Sequence, residues 1–316
     1  MENNSPLSTL NSQLNSPLSS LLSQLYKNEV FVITGPTASG KSALGVKLAL
    51  AADGEIVSAD SMQIYKLMDI GTAKPTEEER LGIAHHMLDV IPPWEDYSVA
   101  RYVEDAARCI DDILERGKLP IIVGGTGLYI DSLLCGRNFS ARGDEDMRCE
   151  LEAEYDDVGG EVMLRKLHEI DPETAEKLHA NDKKRIIRAL EIQKLAGKAK
   201  SQHDLETKSI PPRYKAIKYA LTISDREKLY ERINQRVDLM MEKGLEAEVR
   251  GLLNIGVPSH ATAMQAIGYK EICAVIQGEC SIDEAVLRIK MESRRYAKRQ
   301  LTWLRRDKEL KWLISE

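Results

Sequence analysis

The sequence predicts an α/β fold, in which helices flank a parallel sheet and a helical insertion domain interrupts the chain. Three observations lead to this prediction. An apolar, β-branched run at Val30–Thr34 leads through a glycine-rich loop into a segment of helical character. Further apolar runs alternate with amphipathic stretches, which is typical of parallel strands joined by right-handed helical crossovers. A charged, strand-poor stretch then separates two such regions.

The later elements follow from the same periodicities. Glu55–Asp60 is predicted to be a second strand that ends in an acid, and Tyr97–Leu119 to contain a long amphipathic helix that Gly117 closes. Pro120–Ile130 is predicted to be a buried strand that runs into a glycine-rich turn. Strand character returns at Tyr214–Ser224, and the chain from Asp225 onward is predicted to be mostly helical.

The domain boundaries are drawn from these changes of character. Residues 29–137 and 213–316 are expected to form the core domain, which ends in a basic helix, and residues 138–212 the helical insertion. Residues 1–28 consist largely of Ser, Asn, Gln and Leu, and they lack both a basic start and a continuous apolar stretch. They are expected to be a disordered tail and not a signal peptide.

Composition limits the functions that the chain can have. It has 316 residues and a formal net charge of −6, so any surface that binds a polyanion must be local. No apolar run approaches the ~20 residues of a membrane span, which argues against a membrane protein. The cysteines form no Cys-x-x-Cys pair and are typical of reduced thiols in a cytoplasmic protein. They are Cys109, Cys135, Cys149, Cys273 and Cys280.

The glycine-rich loop predicts a phosphate site. The segment GPTASGKS matches the pattern G-x-x-x-x-G-K-[ST] between a predicted strand and a predicted helix, and in such a loop backbone N–H groups point at an anion. Lys41 adds a cation, and the hydroxyl of Ser42 suits Mg²⁺. The sheet is therefore expected to resemble that of P-loop NTPases. The residues of the phosphate site are Gly35, Pro36, Thr37, Ala38, Ser39, Gly40, Lys41 and Ser42.

The acid that a P-loop ATPase needs is missing from its usual place. Such an enzyme holds Mg²⁺ with an acid at the end of a later apolar strand, whereas here that strand ends in Gly124, Gly125 and Thr126. Asp60 ends an earlier strand, and the carboxyl ends of parallel strands line the ligand crevice. Its chemistry suits a general base or a metal-linked carboxylate, and the alternative is a cap of a turn or helix.

The segment from Ser58 to Pro75, SADSMQIYKLMDIGTAKP, places Asp, Ser, Gln, Tyr and Lys in one loop. It resembles the signature of the tRNA dimethylallyltransferase family, whose members are also called tRNA isopentenyltransferases. Four further stretches resemble this family: GPTASGKS, IIVGGTGLYI, NDKKRIIRALEI and KRQLTWLRR. The resemblance runs from about Val30 to Leu313 and indicates the bacterial type.

The resemblance implies a reaction. In this family the P-loop binds dimethylallyl diphosphate in place of ATP, and the five-carbon allylic group passes to N6 of an adenosine in tRNA. That adenosine lies immediately 3′ of the anticodon in tRNAs that read codons beginning with U, and diphosphate leaves. The implied cofactor is Mg²⁺, and the implied tRNA contact is the anticodon stem-loop, reached partly by the insertion.

The resemblance also implies the catalytic residues. Asp60 matches the aspartate that accepts the N6 proton. Lys41, the P-loop amides and Mg²⁺ held partly by Ser42 would stabilise charge on the departing diphosphate. Thr126 matches a threonine of the reaction channel, where it would bond a diphosphate or ribose oxygen. Arg236 matches an arginine that contacts the diphosphate, and its alternative is an ion pair on a helix surface.

A larger set of residues is expected to contact tRNA. The segment Arg288–Lys311 contains ten Lys or Arg and three acids, and on an ideal helix Arg295, Arg299 and Arg306 share one face. The alternative is an ordinary solvated face. Gln63 is hypothesised to fix a flipped adenine through its donor and acceptor groups. The expected tRNA contacts are Asp60, Ser61, Met62, Gln63, Thr126, Arg148, Lys184, Arg185, Arg188, Lys298, Arg299, Gln300, Trp303 and Arg305.

Other conspicuous residues receive structural expectations. Tyr296 is expected to face the core from the basic helix, and the helix at Gly244–Leu253 to be structural. Tyr269 is expected either to support the bound RNA loop or to lie in the core. His85 and His86 lack companions with metal-ligand spacing and are expected at the surface or in packing contacts.

Two other functions stay open at this stage. A prenyltransferase that acts on free AMP or ADP would share the P-loop and the aspartate, but a free nucleotide needs neither an insertion domain nor a basic helix. A small-molecule or nucleotide kinase would need only the P-loop and an acid at a strand end. The chain is expected to act as a monomer without an obligate protein partner.

Overall fold

The computed structural model describes residues 29–135 and 144–315, so the expected N-terminal tail lies outside the described residues. The chain divides into two compact units. The first comprises the described residues up to Leu134 and from Tyr214 onward, and the second comprises Cys135–Arg213. No helix within the described ranges is both long enough and apolar enough to span a membrane.

Strands and helices alternate along the first unit. The strands are β1 (Glu29–Thr34), β2 (Gly54–Ser58), β3 (His85–His86), β4 (Leu119–Gly124), β5 (Lys215–Ile223) and β6 (Lys311–Ser315). The helices before the second unit are α1 (Lys41–Ala52), α2 (Glu77–Arg80), α3 (Val99–Glu115) and α4 (Gly127–Leu134). The helices of the second unit are α5 (Glu145–Val158), α6 (Gly160–Ile170), α7 (Pro172–Ala175), α8 (Lys183–Ala196) and α9 (Lys200–Lys208). The helices after it are α10 (Arg226–Glu242), α11 (Leu245–Asn254), α12 (Tyr269–Ile276) and α13 (Ile282–Leu304), with a 3-10 turn at Ala263–Gln265.

The six strands form one sheet in the order β3-β2-β4-β1-β5-β6, and every neighbouring pair is parallel. β1 is buried along its whole length because β4 and β5 flank it. Phe31 on β1 stacks on Tyr219 of β5, with 5.4 Å between ring centroids. Helices α1 and α3 both pack on β2 and β4. The predicted α/β fold with a parallel, P-loop NTPase-like sheet is confirmed.

Two edge strands are absent from the prediction. β6 pairs with β5, and two of its side chains, Trp312 and Ile314, are exposed although they are apolar, so its sequence lacks the alternation of a half-buried strand. β3 has only two residues, which pair with Ile56 and Val57. Both are edge strands whose conformation depends on a neighbour distant in sequence, and such pairing leaves a weak local signal.

Helix α3 is bounded by local caps, and the prediction that Gly117 closes it is confirmed. The Ser98 hydroxyl accepts a hydrogen bond from the Arg101 N–H and starts the helix, and Gly117 with a φ of 73° follows its end. The helix therefore lies within the predicted segment Tyr97–Leu119. Its buried Tyr102 donates to the carbonyl oxygen of Ser58 at 3.0 Å, which ties α3 to the end of β2.

The second unit has a core of its own. Helices α5, α6 and α8 meet at Leu151, Leu167, Ile186 and Leu190, which are all buried. Glu191 of α8 is fully buried as well, and its carboxylate accepts hydrogen bonds from arginine side chains of the same unit. The charge of that buried acid is therefore compensated locally.

The carboxyl ends of β2 and β4 are joined directly. The Ala59 N–H donates to the Val123 carbonyl oxygen at 2.8 Å, and the Thr126 N–H donates to the Ala59 carbonyl oxygen at 3.1 Å. A methyl group on Gly124 would lie 2.1 Å from that same carbonyl oxygen. Glycine is required there because the backbone before Asp60 passes too close for any side chain.

We expect Gly124→Ala to lower the free energy of unfolding by about 1–3 kcal/mol, since the backbone at Ala59 must move to accommodate the methyl group. Chemical denaturation monitored by circular dichroism measures the change. Gly251→Ala is the control, because a methyl group there meets nothing within 4 Å, and it is expected to stabilise helix α11 by up to about 1 kcal/mol. Equal effects of the two substitutions would contradict the close approach at Gly124.

Candidate functional site

The glycine-rich loop turns from β1 into α1 through backbone conformations that form a cradle. Gly35, Ala38 and Gly40 have φ angles of 146°, 63° and 87°. A side chain at Gly35 would lie 2.5 Å from the carbonyl oxygen of Leu221, so glycine is needed there. Helix α1 begins at Lys41, and the N–H groups of its first turn are available to an anion held by the loop.

Lys41 and Arg236 place two positive charges at this loop. Burial and then repulsion by Arg236 lower the pKa of Lys41 to about 8, while the charge of Asp60 acts in the opposite direction. Burial likewise lowers the pKa of Arg236. The Lys41 ammonium donates to the Pro36 carbonyl oxygen at 3.3 Å, and Arg236 has no hydrogen bond or ion pair with any described residue. Both side chains are half-buried. Their charges favour an anionic ligand, because charge that loses much of its solvent and has no ion-pair partner is costly.

Two cavities meet at Arg236 and Met240, which line both of them. The P-loop cavity, of about 620 Å³, contains Lys41 and Ser42. The aspartate cavity, of about 280 Å³, contains Asp60. Apolar side chains make up much of the rest of the aspartate cavity. They are Ile233, Val237, Ile267 and Ile289.

Asp60 lies two residues beyond β2, and its position is fixed by the turn that follows. One carboxylate oxygen accepts a hydrogen bond from the Met62 N–H at 2.9 Å. The next residue, Ser61, donates its N–H to the Thr126 hydroxyl at 3.2 Å. Asp60, Ser61 and Met62 all line the aspartate cavity, and Thr126 is joined to it through Ser61. The residues after β2 and β4 that the sequence singled out therefore lie together.

The side chain of Gln63 is engaged within its own loop. Its amide nitrogen donates to the carbonyl oxygens of Thr72 and Ala73, and its amide oxygen accepts from the Ser58 hydroxyl at 3.1 Å. In this conformation Gln63 holds the two ends of the Ser58–Pro75 loop together. To bind adenine, as hypothesised from the sequence, Gln63 would first have to exchange these hydrogen bonds.

Tyr296 lines the aspartate cavity, so the expectation that it faces the core is corrected. It shares a stripe of helix α13 with Ile289, Ser293 and Gln300, at spacings of 4, 3 and 4 residues. Burial and then the charge of Asp60 raise the pKa of the Tyr296 phenol to about 12, so it stays protonated at neutral pH. The spacing of these four residues is the signal in the sequence that indicates a helix face directed at the site. The basic residues between them drew attention to the opposite, RNA-binding interpretation of the helix.

Gln300 and Trp303, both expected to contact tRNA, are engaged inside the protein. The amide of Gln300 accepts from the Thr37 N–H at 2.9 Å and donates to the Gly125 carbonyl oxygen at 3.0 Å, which ties α13 to the P-loop and to the end of β4. The Trp303 indole donates to Asp131 at 2.8 Å. Both residues therefore fasten the basic helix to the site.

The basic residues of helix α13 divide into paired and unpaired groups. Lys290 and Arg295 form ion pairs with Asp238 and Glu292. Further along, no ion pair within the described part of the chain involves Lys298, Arg299, Arg305, Arg306 or Lys308. The helix ends at Leu304, so Arg306 does not share the face that an ideal helix gave it. A positive patch thus remains at the carboxyl end of α13.

The basic cluster expected on the insertion is largely compensated within the second unit. Arg148 and Arg188 both bind the buried carboxylate of Glu191, at 3.0 Å and 2.7 Å. Arg185 pairs with its own N-cap residue, Asp182. Lys184, by contrast, has no hydrogen bond or ion pair among the residues that the structure describes.

The described part of the chain offers a metal ion no ready-made cluster of ligands. Within residues 29–135 and 144–315 no group of three or more His, Cys, Asp or Glu side chains could hold one. His85 and His86 bond to the Ile83 carbonyl oxygen and to Glu55 respectively. The exposed hydroxyl of Ser42 lines the P-loop cavity and is an oxygen donor of the type that Mg²⁺ prefers.

A P-loop on a parallel sheet, beside a half-buried arginine and an aspartate, defines a P-loop protein whose site suits a phosphorylated ligand next to an acid. Comparison with known proteins identifies the family. The protein-family model described as "IPP transferase" matches residues 63–307, and the family model described as "Isopentenyl transferase" matches residues 28–90. The chain belongs to the IPP transferase family, and the resemblance found in its sequence is confirmed.

Individual relatives extend over nearly the whole chain. The chain is 52% identical to a tRNA dimethylallyltransferase of Acetivibrio thermocellus, with 92% of each covered. It is 43% identical to the solved tRNA isopentenylpyrophosphate transferase of Bacillus halodurans, with a TM-score of 0.68 and coverage of 91% and 90%. A solved eukaryotic dimethylallyltransferase acting on tRNA is 32% identical, with a TM-score of 0.75 and coverage of 87% of this chain and 69% of that one.

We expect Lys41→Met to stabilise the protein near neutral pH while it abolishes activity. Because the folded-state pKa of Lys41 is about 8 and the unfolded value is 10.5, the lysine destabilises the fold fully below pH 8. That cost disappears as the pH rises to 10.5. The expected gain for Lys41→Met at pH 7 is about 1–3 kcal/mol, reduced for partial solvent screening.

Urea denaturation at pH 7 and at pH 10 measures this difference. Lys47→Met is the matched control, because Lys47 is exposed on the same helix and should give no comparable gain. A gain for Lys41→Met that does not shrink at pH 10 would mean that removal of buried charge is not its cause.

Proposed function

We propose that this protein transfers the dimethylallyl group from dimethylallyl diphosphate to N6 of the adenosine 3′-adjacent to the anticodon in tRNAs reading codons that begin with U. The observation that carries the proposal is that Arg236 lines both cavities, with the P-loop in one and Asp60 in the other. A diphosphate on one side of Arg236 and an acceptor on the other would meet there. The relatives named tRNA dimethylallyltransferase support this reaction.

The diphosphate occupies the P-loop cavity in this proposal. The loop Gly35–Ser42 supplies backbone N–H groups, and Lys41 and Arg236 supply the charge that their surroundings leave uncompensated. As the carbon–oxygen bond of the substrate breaks, negative charge grows on the leaving diphosphate. The fork of the Arg236 guanidinium suits two phosphate oxygens at once, and Lys41 adds a point charge. Both side chains therefore bind the diphosphate most strongly when the carbon–oxygen bond is most broken. They lower the energy of the transition state more than that of the bound substrate, which accelerates the reaction.

Mg²⁺ is the proposed cofactor. The Ser42 hydroxyl would provide a protein ligand, and the diphosphate oxygens would provide others, in keeping with the preference of Mg²⁺ for substrate phosphates over closed protein cages. When bound, the ion neutralises part of the diphosphate charge.

The acceptor adenine occupies the aspartate cavity in this proposal. It must leave its stack in the anticodon loop to enter a cavity of about 280 Å³. The N6 nitrogen attacks the allylic carbon, a nitrogen–carbon bond forms as the carbon–oxygen bond breaks, and the N6 proton passes to the carboxylate of Asp60. Thr126 holds the turn of Ser61 beside that carboxylate. The apolar lining and the ring of Tyr296 exclude water from the allylic group.

The tRNA surface is proposed to centre on the unpaired basic residues at the carboxyl end of α13, with Lys298, Arg299 and Arg305 at phosphates. Gln300 and Trp303 contribute by holding that helix to the P-loop and to Asp131. Arg148, Lys184, Arg185 and Arg188 of the insertion are proposed as a second contact, of which Lys184 carries the most available charge. The protein is proposed to act as a monomer in the cytoplasm.

We expect Asp60→Asn to lower kcat for prenylation by a factor of about 10²–10⁴, because asparagine cannot take the N6 proton. Asparagine keeps an oxygen that can accept from the Met62 N–H, so the turn is preserved. The measurement is the transfer of label from radioactive dimethylallyl diphosphate to an anticodon stem-loop RNA. Affinity for the RNA, measured by filter binding, should be nearly unchanged.

The control is Asp53→Asn at an exposed position directly before β2, at the strand end opposite to Asp60, which should leave kcat unchanged. The wild-type protein is also incubated with labelled dimethylallyl diphosphate and AMP, and with labelled ATP and nucleosides. Label that enters AMP, or phosphate transferred from ATP, would support one of the two alternative functions. Full activity of Asp60→Asn would refute its role as proton acceptor.

We expect the affinity for tRNA to fall steeply with salt, and Lys298→Ala and Arg305→Ala each to reduce the slope of log K against log salt by about 1. Each substitution removes one phosphate contact and the counterion release that accompanies it. Arg250→Ala is the control, since Arg250 already pairs with Glu246 on helix α11. Unchanged slopes in both variants would place the tRNA elsewhere on the surface.

A further inference from the structure

One stretch of the Ser58–Pro75 loop, residues 69–71, is bound by a single carboxylate from another element. Glu248, on helix α11, accepts hydrogen bonds from three consecutive backbone N–H groups of that loop. They come from Asp69 at 2.9 Å, Ile70 at 2.8 Å and Gly71 at 3.1 Å. The Tyr269 hydroxyl donates to the same carboxylate at 2.6 Å. Four donors thus converge on two oxygens.

The chemistry of this contact is specific to a carboxylate. Successive backbone N–H groups that point to one place form a concave anion site, and only a group that accepts at both oxygens satisfies all of them. Glutamine would keep one oxygen and turn an NH₂ group toward the remaining donors. Burial raises the pKa of Tyr269, so its hydroxyl remains a donor at neutral pH.

The loop packs closely against the helices that carry Glu248 and Tyr269, and there is no space for a side chain at Gly71. Tyr269 is fully buried, and a methyl group on Gly71 would lie 2.4 Å from the edge of its ring. The Leu245 side chain would lie 2.9 Å from the same methyl group. Tyr269 and Leu245 therefore set how closely Gly71 approaches α11 and α12, and Glu248 supplies the attraction that holds it there.

The supported residues form the walls of both cavities. Asp69 and Ile70 line the P-loop cavity, and Gly71 and Thr72 line the aspartate cavity. The carbonyl oxygen of Thr72 in turn accepts from Gln63, three residues after Asp60. A shift at Gly71 would therefore be transmitted to the segment that presents Asp60.

We propose that Glu248 is a positioning residue of the prenyl transfer reaction: its carboxylate fixes the wall that the two cavities share and, through Thr72 and Gln63, the placement of Asp60. It touches neither substrate in this proposal and acts through the loop backbone. The inference rests on the proposed function, because the reaction it supports is the transfer to tRNA.

The test compares Glu248→Ala and Glu248→Gln with Glu246→Ala, a control on the same helix whose partner is Arg250 at the surface. We expect kcat to fall about 10- to 100-fold for Glu248→Ala, since a misplacement of about 1 Å is enough for such a loss. Glu248→Gln should lie between Glu248→Ala and wild type. The affinity for tRNA should be little changed, because the unpaired basic residues of α13 are untouched.

A readout independent of activity separates this inference from the proposed function. Hydrogen exchange of the amides of residues 69–71 should accelerate in Glu248→Ala and stay slow in Glu246→Ala. Gly71→Ala, which pushes the loop away from Tyr269 and leaves the carboxylate intact, should lower kcat in the same way. Loss of activity in step with a lower melting temperature, without local exchange at residues 69–71, would overturn the inference. A wild-type protein that does not prenylate tRNA but shows the expected exchange would refute the proposed function alone.

Discussion

The constraint on which this structure depends is the placement of two positive charges, Lys41 and Arg236, neither of which forms an ion pair with any residue that the structure describes. Burial and mutual repulsion lower the pKa of Lys41 to about 8, and Asp60 is the acid whose charge acts on both. A fold gains nothing from such an arrangement by itself, since buried charges of like sign are costly. A bound anion neutralises the two positive charges. The stability that the free protein lacks therefore becomes affinity for the anion and stabilisation of the transition state.

The elements that position these charged groups relative to one another are far apart in the sequence. The P-loop follows β1, Asp60 follows β2, Thr126 follows β4, and Arg236 comes from α10. Side chains with no part in the chemistry join these elements. Gln300 ties α13 to the P-loop and to Gly125, Tyr102 ties α3 to the end of β2, and Glu248 ties α11 to the loop after Asp60. A parallel sheet brings strand ends to one edge, but such cross-links decide the distances between them.

Charge pairing distinguishes the two basic regions more sharply than composition does. On the insertion, Arg148 and Arg188 are committed to the buried Glu191, whose own charge must be met inside the unit. At the carboxyl end of α13, Lys298, Arg299 and Arg305 have no acidic partner among the described residues. Only unpaired charge adds fully to the potential that a polyanion meets, because a paired cation must first give up its partner. The overall charge of −6 conceals this local difference.

The sequence by itself determined the fold class, the phosphate loop and the family. These depend on local patterns: apolar runs of strand length, the spacing of glycines and lysine in GPTASGKS, and a signature loop. Edge strand β6 could not be predicted, because it depends on pairing with a strand distant in sequence. Only the tertiary structure showed that Tyr296 lines the same cavity as Asp60 and that the amides of Gln63 and Gln300 form hydrogen bonds inside the protein. It alone showed that Glu248 binds the loop after Asp60. The physical reason is that a side chain's partner is fixed by packing between elements, which leaves no periodic trace in either of them.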